Sequence, residues 1–139
     1  MKNIFGVRTH HMYGSIGLLF VRVVMGVAFL FHGWGKIQSP FSWMGPDSTM
    51  PGLLQFLAAF SEFGGGIALI AGFLTPLACL GIAFTMIGAV YTHAIVMGDP
   101  FVGTSSYELA LVYFSLSVLF ITQGPGYFSL DRIVFGRKS

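Results

Sequence analysis

Charge is scarce in this chain of 139 residues: 9% of them are Asp, Glu, Lys or Arg, against about 25% in a soluble domain. A surface that poor in charge cannot be wetted as an ordinary globule is, which excludes a water-soluble domain and a disordered tail. Seven basic and five acidic residues leave a net charge of +2. That is too sparse for a groove that neutralises phosphates, and so no nucleic acid is expected as a partner. Cysteine is nearly absent. Cys79 alone excludes an internal disulfide framework, a c-type haem motif and a thiolate metal cage. Low-complexity segments and internal repeats are also missing, apart from the glycine triplet at 64–66.

What is abundant is apolar surface: 55% of the residues are hydrophobic and the mean hydropathy is +0.80. A spanning helix needs about 20 mainly apolar residues at about 1.5 Å rise each. Four stretches qualify, at about 15–37, 53–73, 76–97 and 106–122. The segment 38–52 holds Pro40, Gly45, Pro46 and Pro51, which break a helix and mark an outer loop. Gly72 ends the second helix, and Thr75-Pro76 offers a capping hydroxyl followed by proline at the first helical position. The third connection runs through Gly98, Asp99, Pro100 and Gly103. Ser105 and Glu108 then have capping-box spacing. Lys2 and Arg8 precede the first span, and Arg132, Arg137 and Lys138 follow the fourth, whereas Lys36 alone borders the other side. The positive-inside rule then places both termini in the cytoplasm, with 123–139 as a cytoplasmic tail. The first span is read as retained: it is long, contains Arg22 and precedes no small-residue cleavage site. The expectation is an all-α integral membrane protein, a single domain forming a four-transmembrane-helix bundle in the lipid bilayer.

Six ionisable residues fall in or beside these spans: Arg22, His32, Lys36, Glu62, His93 and Glu108. Each needs a partner or a purpose in the membrane. At about 100° per residue, Arg22, Gly26, Phe29, Gly33 and Lys36 share one stripe of the first helix, with His32 at its edge. Gln55, Glu62, Gly65, Gly66 and Leu69 share a face of the second. On the fourth, Glu108, Ser115 and Thr122 repeat by heptads, and such polar stripes are expected to face inward. Depth counting puts Arg22 roughly 10 Å and Glu62 roughly 16 Å from the cytoplasmic side, a gap an arginine can cover. An Arg22–Glu62 pair is therefore expected, as a structural pin or as a proton or ligand site. His32, Lys36, His93 and Glu108 form a polar outer cluster above it. Gly26, Gly33, Gly65 and Gly66 permit close helix packing.

Blander readings stand beside these. Lys36 can snorkel to headgroups, Glu108 can serve as a cap, and the histidines can be interfacial side chains bonded to carboxylates or carbonyls. Haem ligation by His32 and His93 is the less favoured alternative. Neither Glu62 nor Glu108 has a histidine three residues on, so no di-metal carboxylate site is expected. Phe29, Phe60, Phe63, Tyr91 and Phe114 can line a cavity for a flat ligand such as a quinone, or simply pack. Phe41 and Trp43 in the outer loop read as interfacial anchors or as a lid.

The runs from Arg22 through His32-Gly33 to Lys36, from Glu62 through Gly65-Gly66 to Thr75, Tyr107-Glu108-Leu109, and Gly124-Pro125-Gly126 to Asp131 resemble, in order and spacing, the DoxX family of small bacterial membrane proteins. The resemblance covers about residues 16 to 131. It implies four transmembrane helices in the bacterial inner membrane, with Arg22, Glu62 and the glycines facing inward. It also implies association with quinone-linked oxidoreductases, although many members have no assigned activity. The expected function is an accessory subunit of a quinone-linked electron-transfer complex, with no built-in cofactor and a quinone as ligand. The alternatives are a structural or assembly subunit of a larger membrane complex and, more weakly, a small-molecule or proton carrier acting as a homo-oligomer. Nothing in the sequence forms a complete catalytic constellation, so an autonomous enzyme is not expected.

Overall fold

The computed structural model describes residues 12–136, and the terminal basic residues Lys2, Arg8, Arg137 and Lys138 lie outside them. Among the described residues every regular element is helical: α1 (Met12–Gln38), α2 (Gly52–Ala71), α3 (Thr75–Tyr91), α4 (Glu108–Gln123) and the short α5 (Leu130–Phe135). α3 runs on through a π-helical turn, Thr92–Val96. α1, α2 and α3 with its π turn are long and apolar enough to cross a membrane. α4 is apolar but has 16 residues, about 24 Å of helix. It starts two residues later than expected because Ser105 is not its cap: the Ser105 hydroxyl donates to Asp99 at 2.9 Å, and Glu108 is the first helical residue.

α1 packs on α2, α2 on α3 and α3 on α4. Phe29, Leu69, Cys79, Ile82 and Phe120 are fully buried at the centre, while Phe20, Phe31 and Phe84 face outward. The inward stripes of α1 and α2 hold: Arg22, Gly26, Phe29 and Gly33 are buried on one, and Gln55, Glu62, Gly65, Gly66 and Leu69 on the other. The heptad stripe of α4 does not. Glu108, Ser115 and Thr122 are exposed, and Ser117 and Phe120 are the buried residues. Ser115 and Thr122 donate to carbonyls of their own helix, four residues back, so neither hydroxyl needs an inward partner.

Close approach sets the register of α1 against α2. A Cβ on Gly33 would stand 2.6 Å from the Phe63 nitrogen, and one on Gly66 would stand 2.8 Å from the Gly26 carbonyl oxygen. With Gly33 beside Phe63 in an antiparallel pair, Arg22 lies eleven residues away along α1, about 16 Å. The Arg22–Glu62 pair read from the sequence is therefore not formed. Distance from each helix's nominal end does not fix the relative depth of Arg22 and Glu62; the Gly33–Phe63 contact does.

Arg22 instead ties down the chain after α4. Its guanidinium donates to the carbonyls of Pro125 (2.7 Å) and Phe128 (2.5 Å). Beside it, Gly72 ends α2 in the left-handed conformation (φ 66°), and its carbonyl accepts from the Asp131 amide at 2.8 Å. A Cβ there would sit 2.7 Å from the Arg22 Nη1 and from the Ser129 Cβ, so only glycine fits. The Asp131 carboxylate then caps α3, accepting from the amides of Leu74 (2.6 Å) and Thr75 (2.9 Å). The capping hydroxyl expected of Thr75 is not used as a cap: Thr75 is the first residue of the helix, and its buried Oγ1 makes no hydrogen bond among the described residues. A carboxylate placed on two free helical amides does that work better than a hydroxyl.

Candidate functional site

Toward the end of the bundle away from Arg22 lies an open cleft of about 230 Å³. Every long helix contributes a polar side chain to it: His32 and Lys36 from α1, Glu62 from α2, His93 from the π turn after α3, and Tyr113 from α4. Phe29, Met86, Ala89 and Leu109 supply apolar lining. The Phe29 and Tyr113 rings lie 4.8 Å apart, and His32 meets Tyr113 edge-on at 6.1 Å.

The strongest interaction in the cleft is an ion pair. Lys36 Nζ donates to both carboxylate oxygens of Glu62, at 2.6 and 2.7 Å. Glu62 is almost wholly buried, with 2% of its side chain exposed, whereas Lys36 keeps 26%. The pair follows from the register, since Lys36 stands one turn beyond Gly33 and Glu62 directly precedes Phe63. Trp43 lies over the ammonium, 4.6 Å from ring centroid to Nζ, in cation–π geometry. Gln55 holds that loop in place. Its backbone carbonyl accepts from the Trp43 indole at 2.9 Å, its Oε1 from the Met44 amide at 3.0 Å, and its Nε2 donates to the Met50 carbonyl at 2.9 Å. Phe41, at the other side of the loop, stacks on Phe56 at 5.0 Å.

His93 is fixed differently. Its Nδ1 lies 2.6 Å from Asp99 Oδ2, and the Asp99 amide donates to the His93 carbonyl at 2.8 Å. His93 lies in the π turn and lines the cleft; such turns recur at functional sites. Hydrogen bonds from His93 and then Ser105 hold the Asp99 carboxyl below its ordinary range.

The cleft brings together His32, Lys36, Glu62 and His93, but not Glu108. That residue is exposed at the first turn of α4, where its negative charge suits the helix N-terminus without a capping box. Of the aromatics expected to line a cavity, Phe29 does so. Phe60 is exposed and stacks with Phe56, Phe63 packs on Trp34, Tyr91 is exposed, and Phe114 lies against the core one residue from the true lining group, Tyr113. Tyr113, Asp99 and Ser105 join the site without any sequence signal that singles them out for it. The Asp99 and Ser105 side chains sit in a loop whose path the helical periodicity does not describe. No group of three or more His, Cys, Asp or Glu side chains that could hold a metal ion occurs among the described residues.

Comparison with known proteins agrees with the residues that form this bundle. The family model described as DoxX matches residues 17–94, from the first helix into the π turn. The chain is 32% identical to "Inner membrane protein YqjF" of Escherichia coli (strain K12), over 86% of this chain and 93% of that one. It is 29% identical to "Putative oxidoreductase CatD" of Bacillus subtilis (strain 168), over 90% and 92%. An uncharacterized protein of Haemophilus influenzae is 31% identical over 88% and 94%. No solved structure matches the chain.

Proposed function

The chain belongs to the DoxX family and is a multi-pass protein of the bacterial inner membrane, and from that premise we propose that it is the quinone-binding accessory subunit of a membrane electron-transfer complex. On this reading α4 is the fourth span, slightly short for the bilayer, and both termini face the cytoplasm. The cleft then opens toward the outer side. The observation that carries the reading is the convergence of an ion pair, two histidines and a tyrosine from four helices onto one cleft with apolar walls. A bound quinone needs such a mixture: apolar walls for the ring and a few placed donors for its carbonyls.

Lys36 has three ammonium protons and directs two at Glu62, which leaves one for a ring carbonyl. Glu62 keeps that ammonium in position, and the half-buried Tyr113, backed by the buried Phe29 ring, provides an aromatic wall for the quinone ring. A buried ion pair contributes little net stability, and Lys36 keeps a quarter of its side chain exposed toward the cleft, where the ammonium can meet a ligand. The oxidoreductase in the name of CatD belongs to that protein, but redox chemistry there accords with a quinone here. The subunit supplies the head-group site, and a partner in the complex exchanges electrons with the bound ring.

A purely structural subunit gains less support. The four glycines expected to pack helices are used within the chain, Gly26, Gly33 and Gly66 between α1 and α2 and Gly65 against Ile82 of α3, while Gly17, Gly35 and Gly88 face open space. The test is titration of a short-chain quinone into the purified protein in nanodiscs. Saturable binding is expected, weakened about tenfold or more in Lys36→Met, the loss of one charge-assisted hydrogen bond. Absence of saturable binding overturns the proposal.

A further inference from the structure

We propose that His93, oriented by Asp99, is the proton acceptor of the cleft, so that a phenolic ring such as the reduced form of a quinone is held there ionised. The inference rests on the cleft as a site for such a ring, and it adds which residue handles the ring's proton.

The geometry fixes the tautomer. With Nδ1 at 2.6 Å from a carboxylate oxygen that can only accept, Nδ1 must carry the proton, and a neutral ring then offers Nε2 as an acceptor. Ser105 donates to the same Asp99 oxygen at 2.9 Å, which holds the carboxylate toward the imidazole. The Asp99 amide bonded to the His93 carbonyl locks side chain and backbone together. This is the arrangement by which a carboxylate orients a histidine base and accommodates the imidazolium that forms.

The other groups lining the cleft are consistent with that assignment. α1 contributes His32 and Lys36, α2 contributes Glu62, and α4 contributes Tyr113. Lys36 and Glu62 neutralise each other in their ion pair, which leaves Asp99 as the carboxylate in contact with the His93 ring. In the step, the phenolic O–H bond breaks and an N–H bond forms at Nε2. The bonding electron pair stays on the oxygen, and no electron leaves the ring. The phenolate produced has the Lys36 ammonium in the same cleft, and the imidazolium has Asp99. Ser105 is exposed and the Asp99 carboxylate is itself partly exposed, so the pair that holds the proton is in reach of water. The reverse step returns the proton to the oxygen.

The probe is 4-nitrophenol, a single phenolic ring whose visible absorbance distinguishes phenolate from phenol, added to the full chain in nanodiscs at a pH below the probe's own pKa. A short-chain quinone is titrated in parallel. Bound probe is expected to show the phenolate band. His93→Gln is expected to bind it as the neutral phenol, and Asp99→Asn to lower the ionised fraction about tenfold. Glu108→Gln, at an exposed residue outside the cleft lining, is expected to leave the ionised fraction unchanged. Neutral probe in the native protein, or a phenolate band that survives both His93→Gln and Asp99→Asn, overturns the proton role while quinone binding still stands. If neither quinone nor nitrophenol binds, the cleft reading fails and this assignment with it. Loss of binding in His93→Gln through misfolding leaves Asp99→Asn, in which the imidazole is retained, to decide.

Discussion

The contact of α1 with α2 at Gly33 can be tested by adding one methyl group. In Gly33→Ala the new Cβ would lie 2.6, 2.8 and 2.9 Å from the nitrogen, Cα and Cβ of Phe63. Non-bonded heavy atoms settle at about 3.5 Å or more, so the helices must separate by about 0.6–0.9 Å. Two of those three atoms are backbone, and no change of rotamer relieves them. Such overpacking costs about 1–3 kcal/mol. Alanine also gains about 1 kcal/mol of helix propensity over glycine, which would blur the result if the variant were measured alone. Gly35, two residues along the same helix, removes that ambiguity because a Cβ there meets nothing within 4 Å. Gly35→Ala therefore gains the propensity without the clash, and the two variants should differ by about 1–3 kcal/mol. Equilibrium unfolding in mixed micelles, with both proteins in the same detergent, reads that difference. Lys36 stands one turn from Gly33, so Gly33→Ala should also pull the ammonium from Glu62 and weaken quinone binding, while Gly35→Ala should not. Equal stability of the two variants would refute the helix register on which the Lys36–Glu62 assignment depends.

Removing one member of the ion pair should be worse than removing both. Lys36→Met leaves a buried carboxylate without its ammonium, at about 3–5 kcal/mol, and Lys36→Met with Glu62→Leu should recover most of that in the same unfolding assay. A double variant as unstable as the single one would contradict the desolvation argument. Asp131→Ala removes the oxygen partners of the Leu74 and Thr75 amides. It should cost about 0.5–2 kcal/mol and speed hydrogen exchange at those two positions, and unchanged exchange there would show that the carboxylate is not the cap. Asp99 titrates below its ordinary 3.8 because His93 and then Ser105 hydrogen-bond to its ionised form. Its contribution is therefore complete above that ordinary value and is lost as pH falls through the lower, folded value. Exchange in the 97–107 loop should rise only in that acid range in the native protein, and should already be raised at neutral pH in Asp99→Ala.

Composition and helical phase are enough to place this protein in a bilayer and to show which faces of its first two helices turn inward. Scarcity of charge and long apolar runs require a bilayer. Helical phase alone sorts Arg22, Gly26, Phe29 and Gly33, with Gln55, Glu62, Gly65, Gly66 and Leu69, onto buried stripes. Phase is a property of one helix, so a single chain segment suffices to read it. Partner choice is a property of two. Whether Glu62 meets Arg22 or Lys36 depends on where α1 and α2 touch, and that is decided by the steric fit of Gly33 on Phe63 and of Gly26 on Gly66. The same holds for Asp131, which caps α3 from a distance of more than fifty residues, and for Arg22, which anchors carbonyls a hundred residues on. The α4 stripe misled because hydroxyls in a helix can satisfy themselves on their own backbone, which leaves their phase uninformative. The site at His93 depended on a π turn and a loop, where side-chain direction follows from backbone closure rather than from periodicity. Composition and phase thus settle what must be buried, while only the packed helices settle what each buried charge is buried against.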